Sequence, residues 1–95
     1  MKDSFDGVRQ DTVETINNFV KYGLPPGGFV EAVLENNLTE AFGRADMGNR
    51  LSLWNICNYV YNEIPSNCHG NPQKVNEWIN RGGLEGMRKQ EVTNG

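Results

Sequence analysis

Apolar side chains recur along this chain at three- and four-residue intervals, and glycine, proline and asparagine interrupt them. Val13, Ile16 and Val20, with Phe19 beside them, mark one helical face, and Gly23 is placed to stop it. Asp11-Thr12-Val13-Glu14 has capping-box spacing, so a first helix is expected over 12–22, with Asp11 capping it and Glu14 reaching back. Leu24-Pro25-Pro26-Gly27-Gly28 is the clearest break: Pro26 pushes Pro25 toward extended backbone, and the two glycines admit a sharp turn. Phe29, Val30, Val33 and Leu34 form a short apolar face beyond it. Asn36-Asn37 ends that helix, and Asn37-Leu38-Thr39-Glu40 opens another with capping-box spacing, lined on one side by Leu38, Ala41, Phe42 and Ala45.

The strongest pattern predicts a helix over 49–63, with Leu53, Cys57, Val60 and Ile64 in one stripe and Trp54 and Tyr61 on the adjoining strip. It is expected to be the central element, with Leu53, Cys57 and Val60 buried. Pro65 ends it, and Asn71-Pro72 reads as an N-cap followed by proline at the first helical position. Val75, Trp78 and Ile79 supply the next apolar face, Gly82-Gly83 stop it, and a last weak turn is expected over 84–89. Residues 1–9 and 91–95 read as mobile ends. No segment alternates as a strand does. The expected fold is therefore all-α, a compact bundle of four to five short helices in a single domain over 1–95.

Composition narrows the function. Of 95 residues, 37% are hydrophobic, which leaves a chain this small a thin stability margin, and burial of aromatic surface in a homo-oligomer would widen it. No apolar run approaches a membrane span, and Met1-Lys2-Asp3-Ser4-Phe5-Asp6 lacks a signal peptide's apolar stretch. The net charge of −3 argues against generic binding to DNA or to acidic membranes, which both need a basic field. Residues 1–40 hold three basic and seven acidic side chains and residues 41–95 hold six and five, so an anion site should draw on the second half. Two cysteines without a secretory signal point to a reduced, cytoplasmic setting.

Catalytic and metal chemistry find little support. Cys57, Cys68 and His69 lack the paired spacing of a zinc site, and Cys57 lies on the apolar stripe. Cys68 and His69 are sequence neighbours whose side chains point apart, no orienting third group is evident, and nothing selects a carboxylate pair among 12 acidic residues. No catalytic residue, metal or cofactor is expected. Asn37-Leu38-Thr39 matches the glycosylation pattern, but capping is the stronger reading without a secretory signal. Gly27 and Gly28, opening a helix, offer backbone amides to a phosphate; a tight interhelical turn is the preferred reading. Gly43-Arg44-Ala45-Asp46-Met47-Gly48-Asn49-Arg50 is more informative, because arginine's planar fork suits phosphate or carboxylate. Two uses stand open there: Arg44 and Arg50 on an anion with Asn49 reading a polar edge, or Arg44 paired with Asp46 while Asp46 or Asn49 caps the next helix. Trp54 and Tyr61, off the main stripe, read as interface or stacking residues.

Tyr22-Gly23-Leu24-Pro25-Pro26-Gly27-Gly28-Phe29, then Asn36-Asn37-Leu38 and Gly43-Arg44-Ala45-Asp46, are followed by Tyr61-Asn62-Glu63-Ile64-Pro65, Gly70-Asn71-Pro72 and Trp78. This ordered pattern, covering about 22–79, resembles a group of small accessory proteins of tailed bacteriophages and prophages. Cys68 and Gly28 depart from the residues expected in many members. The resemblance implies a phage gene expressed in the bacterial host cytoplasm and transfers no catalytic residues. In that setting the first expectation is a non-enzymatic anti-defence sponge that sequesters a nucleotide second messenger, such as a cyclic oligonucleotide. Its ligand-binding set would be Arg44, Asp46, Asn49, Arg50 and Trp54, with Gly27, Gly28, Asn37 and Tyr61 as secondary candidates. The alternatives are a protein–protein inhibitor docking an apolar face on a host enzyme, or a virion assembly factor.

Overall fold

The computed structural model describes the backbone of residues 4–94 and the side chains of residues 4–88. The described chain is all-α, as expected, and contains no strand. Its α-helices are α1 (Gln10–Tyr22), α2 (Gly28–Leu34), α3 (Leu38–Arg44), α4 (Met47–Leu51), α5 (Leu53–Glu63), α6 (Pro72–Arg81) and α7 (Gly83–Asn94), with a short 3-10 turn at Ser66–Cys68. The number exceeds four to five because the helix expected over 49–63 divides at Ser52 and the weak turn near 84–89 is a full helix.

Local signals set most boundaries. Asn37 Oδ1 accepts the Glu40 amide at 3.3 Å, and Asn71 Oδ1 accepts the Lys74 amide at 2.9 Å ahead of Pro72. Gly23 takes φ +69° and donates its amide to Phe19 O, while Gly82 takes φ +79° at the end of α6. Asp11 is a correction. Arg9 occupies the N-cap position of α1, and its guanidinium takes the Asp11 carboxylate at 2.8 and 3.0 Å, so that carboxylate serves an ion pair rather than a backbone cap. Glu14 accepts from Gln10.

The core is built around α1, whose Val13, Ile16, Phe19 and Val20 are fully buried, against Val33 and Leu34 of α2, Ala41 of α3, and Val75 and Trp78 of α6. The deep face of α5 is Ile56, Tyr59 and Val60; Leu53 and Cys57 are only half-buried, so α5 is rotated from the stripe read in the sequence. Tyr59 can go inside because its hydroxyl donates to Asn17 Oδ1 at 2.5 Å, and Phe5 meets its ring edge-on at 5.3 Å. Of the segment 1–9, residues 4–9 are described, and Phe5 and Val8 pack on the core. On α3, Ala41 and Ala45 face inward, whereas Leu38 and Phe42 are exposed.

Two long-range contacts close the bundle. The Trp78 indole N–H lies 3.1 Å from both Phe19 O and Val20 O, tying α6 to the end of α1. The α6–α7 turn also meets that end backbone to backbone: a Cβ at Gly83 would sit 2.6 Å from Gly23 N and 2.7 Å from Lys21 O. α7 then returns along α1, and Met87 packs against the core.

Candidate functional site

The structure turns the side chains of the 43–50 segment to different sides. Residues 42 and 44 of a helix point roughly 200° apart, so α3 turns Phe42 and Arg44 to opposite sides. Arg44 Nε bonds Glu40 Oε1 at 2.6 Å, in a hollow of about 120 Å³ lined by Gly28, Glu31, Ala32, Glu35, Asn37, Glu40 and Arg44. A Cβ on Gly28 would come 2.5 Å from Arg44 Nη1, so glycine is what lets the guanidinium lie there. One cation among three carboxylates leaves little field for a phosphate. Burial, then a hydrogen bond with Glu31, pushes the Glu35 carboxyl above its usual range.

Arg50 lies on the other side. Its guanidinium sits 5.0 Å over the Phe42 ring, and its Nε donates to Phe42 O at 3.3 Å. No carboxylate among the described residues pairs with it. Beside it in the chain, Leu51 is 80% exposed, Trp54 75% and Met47 67%. The five-residue α4 is inverted: its two large apolar side chains face solvent, and Asn49, at 9% exposure, is its buried residue.

Asp46 caps α4 through the Asn49 amide at 2.8 Å and binds Arg9 Nη1 at 2.9 Å, so its cation is Arg9 instead of the expected Arg44. The Asn49 amide first, and Arg9 second, hold the Asp46 carboxyl below its ordinary range; Arg9 does the same for Asp11. Arg9, bridging both aspartates, was not among the sequence candidates, because residues 1–9 carry no periodic signal.

A second concavity, of about 250 Å³, joins Gly27, Gly28 and Asn49 with Arg9, Asp11, Thr12, Thr15, Pro26, Phe29 and Val30. Three of the nine sequence candidates thus meet at one cleft, between the start of α1, the turn into α2 and the inner side of α4. Of the rest, Asn37 caps α3 and borders the acidic hollow. Tyr61 bonds Asn36 Oδ1 at 3.0 Å and meets the His69 ring edge-on at 5.1 Å. His69 is buried, and its Nε2 has no partner among the described residues. Burial, then Lys74, pushes its pKa down. Burial pushes the Cys68 thiol up to about 12 and raises Cys57 as well, so both resist becoming thiolates. Among the described residues, no three His, Cys, Asp or Glu side chains are grouped to hold a metal ion, and no helix is long and apolar enough to cross a membrane.

Comparison with protein-family models, with curated proteins and with solved structures finds no match to this chain.

Proposed function

We propose that this protein is a non-enzymatic, phage-encoded binding module that inhibits a host bacterial protein by docking the outer face of α4 and the start of α5. The observation that carries the reading is the inverted α4: Met47 and Leu51 point outward, followed by an exposed Trp54. Arg50 is the one charged residue from 47 to 62. Interface centres are depleted in charge and enriched in Trp, Met and Arg, and this face has that composition. Its partner would offer an apolar pocket for Trp54 with a carboxylate beside it, to pair with the unneutralised Arg50. A second copy of this chain fits less well, because its own docking face would bring another Arg50 and no acid.

The test is capture from bacterial lysate with the wild-type chain and with Trp54→Ala and Leu51→Ser, followed by calorimetry on the purified partner. Trp54→Ala should weaken binding about thirtyfold or more, as truncation of a central aromatic anchor does at about 2 kcal/mol, without moving the melting temperature. Equal affinity in both variants would remove this face from the interaction. A second reading, sequestration of a cyclic oligonucleotide by a homo-oligomer, draws on Arg50 stacked on Phe42. It asks less of Arg44, which the acidic hollow occupies. Thermal shifts with cyclic di- and trinucleotides that vanish in Arg50→Ala, together with light scattering above the 10.7 kDa of one chain, would favour it over protein docking.

A further inference from the structure

The cleft between α1, α2 and α4 lies on the side of α4 away from the exposed Met47–Trp54 face, and the docking reading does not use it. Its polar wall has a defined pattern of donors and acceptors. The Thr12 hydroxyl donates to Asn49 Oδ1 at 3.2 Å, and the Thr15 hydroxyl donates to Asp11 O at 2.9 Å. Both protons are therefore committed, so toward a ligand these two threonine oxygens have only lone pairs to offer. Asn49 is the reverse. Its Oδ1 is engaged by Thr12, while its Nδ2 donates to no atom among the described residues, although the residue is more than nine-tenths buried and lines the cleft. The nitrogen is not sealed off, since the fully buried side-chain polar atom without a partner among the described residues is His69 Nε2; Asn49 Nδ2 is open to whatever fills the cleft.

The opposite wall is apolar: Pro26, the half-buried Phe29 and the buried Val30. Gly27 adds no side chain, and a Cβ built there would meet nothing within 4 Å, so the mouth is open at that point. The volume, about 250 Å³, is below the range of drug-sized pockets and suits a small flat molecule. Charge at the rim excludes anions. Among the described residues Arg9 is the one cation lining the cleft, and Asp11 and Asp46 already take its guanidinium, so the balance of these three groups is negative.

We propose that this cleft binds an uncharged nucleobase-class ligand by an amino–aza edge, the edge adenine and cytosine present. Asn49 Nδ2 donates to the ring nitrogen, and a threonine oxygen, from Thr12 or Thr15, accepts from the exocyclic amine. Pro26 and Phe29 cover one face of the ring. Uracil presents carbonyl oxygens on both sides of its ring N–H, and these would face threonine lone pairs and the Asp11 carboxylate. A phosphate gains nothing from an arginine held between two aspartates.

The probes are adenosine, cytidine, uridine and adenosine 5′-monophosphate, titrated into the ¹⁵N-labelled full chain to about 5 mM, the weak end of small-ligand affinity. Adenosine or cytidine should shift the amides of residues 9–15, 26–30 and 49, with uridine at least about tenfold weaker and the monophosphate no tighter than adenosine. Asn49→Ala should weaken adenosine or cytidine five- to tenfold, about the worth of one hydrogen bond. Thr15→Val, at a half-buried site that keeps the side-chain shape, provides a second variant if Asn49→Ala does not fold. Shifts confined to other residues, no shifts at all, equal binding of uridine, or tighter binding of the monophosphate would each overturn the assignment.

Discussion

The chain's two tryptophans occupy opposite environments, and replacing each with phenylalanine tests the packing directly. Trp78 is 2% exposed, and its indole N–H lies 3.1 Å from Phe19 O and from Val20 O. The Gly23 amide also bonds Phe19 O, so among the described residues Val20 O depends on the indole for a partner outside its helix. Trp78→Phe would leave that buried carbonyl unmet, at a cost of about 1–3 kcal/mol. The lost ring volume, on the order of 40 Å³, adds about 1 kcal/mol of cavity cost. A combined loss of about 2–4 kcal/mol is a large share of the roughly 5–10 kcal/mol available to a domain of this size. The melting temperature should fall by at least about 8 °C, at roughly 4 °C or more per kcal/mol. Trp54→Phe should move it by less than about 3 °C, because exposed substitutions stay near ±0.5 kcal/mol. Circular dichroism melts of the two variants, with urea titrations to confirm an unchanged slope, make the measurement. Equal melting temperatures in the two variants would refute the assignment of Trp78 to the α1–α6 joint.

His69 makes stability pH-dependent in a known direction. Its folded pKa is pushed down, by burial first and Lys74 second, so the unfolded chain takes up the proton first; stability is intact above about pH 6.5 and is lost as pH falls toward the folded pKa. The urea midpoint should drop between pH 7.5 and 5.5 more in the wild type than in His69→Gln, and parallel curves would contradict the burial argument. Gly83→Ala drives a Cβ to 2.6 Å from Gly23 N at a φ of +68° and should cost more than about 2 kcal/mol in urea unfolding. Gly27→Ala, with a φ of +85° but open space around the new Cβ, should cost only about 1 kcal/mol in the same assay. Asn71→Ala removes the α6 cap and should cost about 1 kcal/mol, read as a fall in melting temperature of a few degrees.

Where an element begins and ends was decided by short-range chemistry, and that was legible in the chain. Asn37 and Asn71 cap amides three residues ahead, Pro72 starts a helix whose first amide needs no partner, and Gly23 and Gly82 take the left-handed geometry that ends one. These devices act within four residues, so sequence spacing contains them. The inward faces of α1 and α6 were legible as well, whereas those of α4 and α5 were settled elsewhere. The inward turn of α5 depends on Asn17, 42 residues from Tyr59, to receive a buried hydroxyl. Likewise Arg9 finds Asp46 across 37 positions, which relieves Arg44 of the partner that sequence proximity suggested. α7 has little periodicity of its own and is held by its contact with α1 through the paired glycine turns. The cleft follows the same rule: Asn49 and Gly27-Gly28 were visible as candidates, but Thr12 and Thr15 read only as helix positions until α1 was set beside α4. Side-chain hydrogen bonds between distant segments have no spacing rule, and they form only after hydrophobic burial has brought those segments together.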